Sequence, residues 1–304
     1  MNYKEKPMKT LSGKTITLSL ALFLCSTLFS TVSVSEPMSD GDAINKAGRQ
    51  RMLSQRITKA YLQIANDIDY VRSKKQLDQG LALFEEQLME LQDNAPTQEI
   101  TQQLNAVEVI WNDFRKIALT RSSKSNAIKL IEKSDTLLTA SHQAVVLWEA
   151  SANSNANKMV NIAGRQRMLS QRIGKFYAAH YFGIKTDDIV NGLNQALVDY
   201  EKGLKLLSSS GVNHEELQSA LKKVSNQWEY SKQGLSQINQ GNYVPHVISV
   251  TTESMLKRMN KITGMYSDLS SDLSSDVQYS KSGSRQSTKK INIPGLASTT
   301  SSEF

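Results

Sequence analysis

Apolar residues recur at helical spacing along most of the chain. The segment LALFEEQLMEL at 81–91, for example, places apolar residues three and four positions apart, as one face of a helix requires. Pro96 is the only proline between Pro37 and Pro245, so long helices can run without interruption. Turn-forming residues divide the pattern into eight predicted helices: 41–69, 72–93, 98–120, 124–150, 156–183, 186–208, 214–237 and 246–272. Short connections between helices of this length predict an all-α protein made of two tandem up-down-up-down four-helix bundles.

The two predicted bundles are copies of one unit. AGRQRMLSQRI occurs at 47–57 and again, letter for letter, at 163–173. Trp111 and Trp228 are separated by nearly the same number of residues as the two copies of this stretch. Residues 134–148 also align loosely with 252–266. We therefore expect a first unit over 40–155 and a second over 156–272.

How the two units meet stays open at this point. The connecting stretch, WEASANSNANKMVNIAG at 148–164, has no proline and no glycine before Gly164. A continuous helix there would stack the units end to end and would require a second chain for pairing. A break in its polar part, 151–157, would instead let the second unit fold back on the first.

The ends of the chain differ from its middle. Four lysines precede an apolar run at 16–29, and small residues follow at 33–35, so residues 1–35 are expected to be a signal peptide. An uncleaved membrane anchor is the alternative. The lone Cys25 lies in that run, so the exported part has no disulfide, and the expected location is the periplasm. The Ser-rich tail, 273–304, shows no helical period and is expected to be disordered.

The repeated stretch also carries the candidate chemistry. On a helix, Gly48, Arg51 and Gln55 share one face, opposite an apolar face that suits the core. Glycine lets a partner approach the backbone, and arginine offers a planar fork of donors that suits oxyanions. The equivalent residues Gly164, Arg167 and Gln171 would complete a ligand site with two arginines around one small anion. The alternative is that equivalent helices keep equivalent packing contacts, without any ligand.

Other kinds of site find little support. The four histidines lack metal-ligand spacing, no catalytic constellation is evident, and neither a metal nor a cofactor is predicted. The net charge of +7 is modest and falls partly in the signal segment, which does not argue for nucleic acid.

The segments DAINKAGRQRMLSQRI at 42–57 and VNIAGRQRMLSQRI at 160–173 resemble the first-helix signature of PilJ/NarX-type periplasmic sensor domains. This resemblance implies a four-helix bundle that dimerises through its first helix and holds nitrate or nitrite between two first helices. By position, Gly48 and Arg51 would hold the anion together with Gly164 and Arg167.

These observations predict a non-enzymatic exported sensor of nitrate or nitrite, connected with chemotaxis or type IV pili. Its partner would be a membrane-bound sensor kinase or chemoreceptor, and a homodimer stays open. The alternative is a structural or adaptor bundle that acts through protein–protein contacts at pili or in the envelope.

Overall fold

The computed structural model describes the backbone of residues 38–152, 155–236, 238 and 241–286, and side chains in those ranges except at 155, 156, 236 and 272–286. The described residues form eight helices and no strand. The helices are α1 (Asp40–Ala65), α2 (Tyr70–Asp93), α3 (Gln98–Ala118), α4 (Lys124–Ala152), α5 (Asn155–Tyr181), α6 (Asp187–Ser208), α7 (Glu215–Ser236) and α8 (Pro245–Gln286). The all-α, tandem four-helix-bundle prediction is confirmed.

Local sequence explains where the helices begin and end. The Ser39 side chain accepts a hydrogen bond from the backbone N–H of Asp42 and caps α1, with acidic residues in the first turn. Thr97 caps α3 in the same way through the N–H of Ile100. The described helix ends lie within a few residues of those predicted from the turn signals, with one exception at the end of α8.

The end of α8 differs from one expectation. Residues 273–304 were expected to be disordered, but α8 continues to Gln286. A helix that already exists extends at little cost, because nucleation is the expensive step, and no proline lies between Pro245 and Pro294. The remainder of this tail, 287–304, and the expected signal peptide at 1–35 lie outside the described residues.

Each unit has an aromatic pair at its centre. The ring of Trp111 stacks on Phe84 with centroids 3.9 Å apart, which ties α3 to α2. In the second unit, Trp228 of α7 contacts Tyr200 of α6 with centroids 4.6 Å apart. Four-helix packing is therefore repeated in both halves around equivalent anchors.

The two units pack side by side within one chain. Asn161 of α5 donates a hydrogen bond to Glu149 of α4, twelve residues earlier. Residues twelve apart on one continuous helix would be separated by about 18 Å, so the chain must reverse between α4 and α5. This observation answers the question that the connecting stretch left open.

The reversal places α1 and α5 side by side and parallel. Contacts advance in the same direction along both helices, from Gly48 with Gly164 to Asn66 with Ala178. The fourth helix of each unit, α4 or α8, runs antiparallel along this central pair. Within the described part of the chain, no helix is both long and apolar enough to cross a membrane.

Candidate functional site

Helices α1 and α5 contact each other at the two predicted glycines. A Cβ placed on Gly48 would lie 4.0 Å from the Cα of Gly164, and the converse distance is 3.9 Å. At these distances an added Cβ would make only ordinary van der Waals contact with the opposite backbone. The tighter contacts of such a Cβ would be with the side chains of Arg51 and Arg167.

The two arginines converge on these glycines. Side chains on a helix lean toward its N-terminus, so Arg51 and Arg167 reach back one turn over the crossing point. A Cβ on Gly48 would lie 3.3 Å from Nη2 of Arg51 and 3.5 Å from Nη2 of Arg167. A Cβ on Gly164 would meet the same two nitrogens at 3.4 and 3.3 Å. Both guanidinium groups thus border the same small volume.

Each arginine crosses to the opposite unit. Nη2 of Arg51 donates to the side-chain oxygen of Asn161 at 2.9 Å. Nη2 of Arg167 donates to the backbone oxygen of Asn45 at 2.9 Å. Asn45 and Asn161 occupy equivalent positions of the two repeats, so these hydrogen bonds are related by a pseudo-twofold axis.

Both guanidinium groups are buried without a direct counter-charge. Arg51 is 2% exposed and Arg167 is 0% exposed. Among the described residues, the ion pairs do not include either side chain; the nearest acidic influence is Glu149, which contacts Arg51 only through Asn161. Two like charges therefore lie close together in a buried site, an arrangement that is costly unless an anion compensates it.

The electrostatic cost is visible in the pKa values. Burial, and then the positive charge of Arg165, lowers the pKa of Arg51 to about 10, against the opposing effect of Glu149. Burial also lowers the pKa of Arg167 strongly, and the charges of Arg49 and Arg51 add to this effect. Each guanidinium would be better stabilised with a negative charge beside it.

Donor capacity is left over at the site. Nε of Arg51 and Nε of Arg167 are both buried, and neither has a hydrogen-bond partner in the protein. A buried donor without a partner costs about 1–3 kcal/mol. An oxyanion with several acceptor oxygens is the kind of guest that such donors can bind.

The predicted glutamines occupy a different position. Gln55 donates from Nε2 to the backbone oxygen of Ser134 at 3.3 Å, and Gln171 donates to that of Thr252 at 3.0 Å. Their donors thus hold α4 and α8 in place. The structure brings together the glycines and arginines of the predicted site, whereas the glutamines support the helices behind them.

Ion pairs that the sequence did not reveal lie C-terminal to the arginines. Lys59 is fully buried on α1 and contacts Glu253 of α8 at 2.5 Å, and Arg56 binds the same carboxylate at 2.8 Å. Burial raises the pKa of Glu253, but the charges of Lys59 and Arg56 outweigh burial and bring it to about 2. This cluster fastens the first unit to the second.

The pseudo-twofold axis repeats the cluster on the other side. Lys175, also fully buried, contacts the carboxylate of Asp135 at 2.9 Å, and Arg172 contacts the same carboxylate at 3.1 Å. Burial lowers the pKa of Lys175 to about 8, although the charge of Asp135 opposes the shift. The ion pairs of Lys59 and Lys175 are hard to recognise in the sequence, because the carboxylate that each lysine contacts belongs to the last helix of the other unit.

A solvent-accessible groove leads to one of the arginines. It has a volume of about 520 Å³ and is lined by Arg51, His142, Arg165, Leu138, Met168 and Asp199, among others. A second groove, with a volume of about 640 Å³, lies at the pseudo-equivalent place and is lined by Asn260 but not by Arg167. Access from solvent therefore differs between the two halves of the site.

The sequence did not indicate that His142 and Asn260 contact the two arginines. Nη1 of Arg51 lies 3.2 Å from Nδ1 of His142, and Nη1 of Arg167 lies 3.2 Å from Oδ1 of Asn260. The alignment of 134–148 with 252–266 already matches His142 with Asn260. That alignment was the available signal, but the weak similarity of these helices concealed it.

Comparison with known proteins gives one result. A family model described as "PilJ: Type IV pili methyl-accepting chemotaxis transducer N-term" matches residues 33–136 and 148–250. No curated protein and no solved structure matches the chain. The two matched regions begin shortly before the helices that carry the two copies of the glycine–arginine stretch.

Proposed function

Since the chain belongs to the PilJ family of chemotaxis-transducer N-terminal sensor domains, we propose that it is an exported, non-enzymatic sensor of a small oxyanion. Nitrate and nitrite are the proposed ligands. Gly48, Arg51, Gly164 and Arg167 form the proposed site, with Gln55 and Gln171 in support. A membrane-bound kinase or chemoreceptor is the proposed recipient of the signal.

The observation that carries this proposal is the pair of buried guanidinium groups without a direct counter-charge. A purely structural helix contact has no need of two cations that repel each other over a glycine notch. Replacing buried charge by apolar side chains is often neutral or stabilising, so retaining it suggests a use. An anion between Arg51 and Arg167 would neutralise the repulsion and use their free donors.

The chemistry of the site favours a small planar anion. The arginines present several N–H donors beside the two glycines. A Cβ on either glycine would already lie 3.3–3.5 Å from these nitrogens, so a bound anion would take its space by moving the flexible guanidinium groups. Nitrate and nitrite offer acceptor oxygens in a plane and carry a single negative charge. A ligand of this kind can be held from both units at once.

Binding at this place would change the relation between the units. In the empty site, repulsion between Arg51 and Arg167 opposes the close contact of α1 with α5. A bound anion attracts both side chains and favours the close contact, so it shifts the population toward that arrangement. A partner that recognises the arrangement of α1, α4, α5 and α8 would then read the bound state.

A thermal-shift screen of the purified protein tests the proposal. Nitrate and nitrite are compared with sulfate, acetate and chloride at matched ionic strength, using wild type, Arg51→Met, Arg167→Met and the exposed-arginine control Arg72→Met. A ligand at 100 times its Kd should stabilise the wild type and the control by about 2.7 kcal/mol. Neither site variant should respond.

The opposite result has a clear meaning. If every anion leaves all four proteins unchanged, the arginines serve a protein–protein contact and the adaptor hypothesis is favoured. Export is tested separately by fractionating cells and determining the mass of the mature chain. Loss of about the first 35 residues, with the protein in the periplasm, is the expected result.

A further inference from the structure

The two halves of the candidate site differ in one of the residues that contact the arginines. His142 of α4 and Asn260 of α8 are equivalent by alignment, and each lies 3.2 Å from Nη1 of its arginine. The helices that surround the two halves are related by the pseudo-twofold axis. Of the two residues that face the arginines in this way, only His142 has a side chain that can take up a proton.

Hydrogen-bond chemistry fixes the state of His142 in the empty site. Arginine has donors and no acceptor, so Nδ1 of His142 must accept the hydrogen bond from Arg51 and carry no proton. Protonated histidine has two donors and cannot accept this bond. Proton uptake would thus release Nη1 of Arg51 and turn both side chains into donors for an anion. Asn260 has no such change, because its Oδ1 accepts from Arg167 at any pH.

The charges around His142 favour the neutral state when no anion is present. Burial lowers its pKa, and the charges of Arg51 on α1 and Arg165 on α5 lower it further. Other charged groups near the same groove are Arg172 of α5, Asp199 of α6 and, on α4 itself, Asp135 and Glu149. Asp199 is paired with Arg165 at 2.9 Å, and Asp135 is paired with Arg172 at 3.1 Å.

We propose that His142 couples anion binding to the uptake of a proton, so that this sensor binds its anion more tightly in a mildly acidic medium. The inference rests on the proposed function and adds its regulation. An anion beside Arg51 would favour the imidazolium, which in turn adds a third positive charge to the site. The groove gives His142 contact with solvent, from which the proton comes.

Calorimetry with nitrate at pH 5.5 and pH 7.5 tests the coupling. Each titration is repeated in two buffers of different ionisation enthalpy, which gives the number of protons taken up per nitrate. The variants are His142→Asn, which copies the second unit, and His214→Asn, which changes an exposed histidine as a control. Both preserve an uncharged polar side chain.

For wild type and His214→Asn, we expect Kd to fall by several-fold from pH 7.5 to pH 5.5, with less than one proton taken up per nitrate. One proton permits at most a tenfold change per pH unit. His142→Asn should bind nitrate with the same Kd at both pH values and take up no proton. Circular dichroism establishes that each variant is folded.

The outcomes separate the two proposals. Nitrate binding that is independent of pH in the wild type, or a pH dependence that persists in His142→Asn, overturns the role of His142 and leaves the anion site standing. Absence of nitrate binding by the folded wild type at both pH values overturns the proposed nitrate site and this inference together.

Discussion

Replacing Arg51 by methionine should stabilise the anion-free protein. Burial and neighbouring charge move the pKa of Arg51 from 12.5 to about 10, and each pKa unit corresponds to 1.36 kcal/mol, so the buried charge costs about 3 kcal/mol. The variant loses the hydrogen bonds to Asn161 and His142. Each loss should lower the free energy of unfolding by about 1 kcal/mol, because the acceptors are only partly buried. The free energy of unfolding should therefore rise by about 1–2 kcal/mol.

Urea denaturation followed by circular dichroism measures this change, in a buffer of low ionic strength without oxyanions. Urea is preferred to guanidinium chloride because chloride is itself an anion. Lys59→Met is the matched control, since it removes a buried cation that has a carboxylate partner in Glu253. Its free energy of unfolding should fall by about 2–3 kcal/mol, because a buried carboxylate then keeps only Arg56.

The contrast between these two variants is what tests the reasoning. If Arg51→Met destabilises the protein as much as Lys59→Met does, then Arg51 is already compensated in the empty protein. In that case the site would hold no uncompensated charge, and the argument for an anion would lose its basis.

The remaining predictions concern the glycine notch and the ion pairs beside it. Gly48→Ala should unfold at an unchanged or slightly higher urea concentration, because alanine favours a helix by about 1 kcal/mol and the flexible end of Arg51 can yield to a Cβ at 3.3 Å. Its nitrate affinity, measured by calorimetry, should fall by about tenfold or more, and an unchanged affinity would place the anion elsewhere. Glu253→Gln should lower the free energy of unfolding by about 3 kcal/mol at pH 7, since the folded-state pKa of about 2 lies below the ordinary 4.5. That difference is present above pH 4.5 and should shrink as pH falls toward 2, so urea titrations showing a constant difference across this window would contradict the assigned ion pair.

The sequence predicted the helices well because their signals are local. Helix caps, turn residues and apolar spacing act over a few positions, and Pro96 marks the break between α2 and α3 correctly. The helix at 273–286 differs from the expected disorder for a related reason. Its composition has no helical period of its own, whereas the observed helix continues one that is stabilised by packing before it.

The arrangement of the candidate site was only partly predictable. Identical residues around Gly48 and Gly164 indicated two matching surfaces. The polar stretch that connects α4 with α5, however, did not show whether one helix continues into the other. Helical spacing also predicted that Gln55 lies beside Arg51, because residues four positions apart share a face of a helix. In the structure a buried helix has neighbours on several sides, and Gln55 turns to the backbone of α4.

The charged partners were less predictable still. Glu253 and Lys59 are 194 residues apart and belong to different units. Their contact follows from the side-by-side packing of the units, which no local pattern encodes. The asymmetry between His142 and Asn260 became meaningful only when both were found beside equivalent arginines.

The most direct test of the central claim is the stoichiometry of nitrate binding by calorimetry. Because Arg51 and Arg167 border one common volume, we expect a single nitrate per chain, and either Arg51→Met or Arg167→Met alone should abolish binding. Two independent nitrates per chain, or full affinity after the loss of one arginine, would contradict a site shared between the two units.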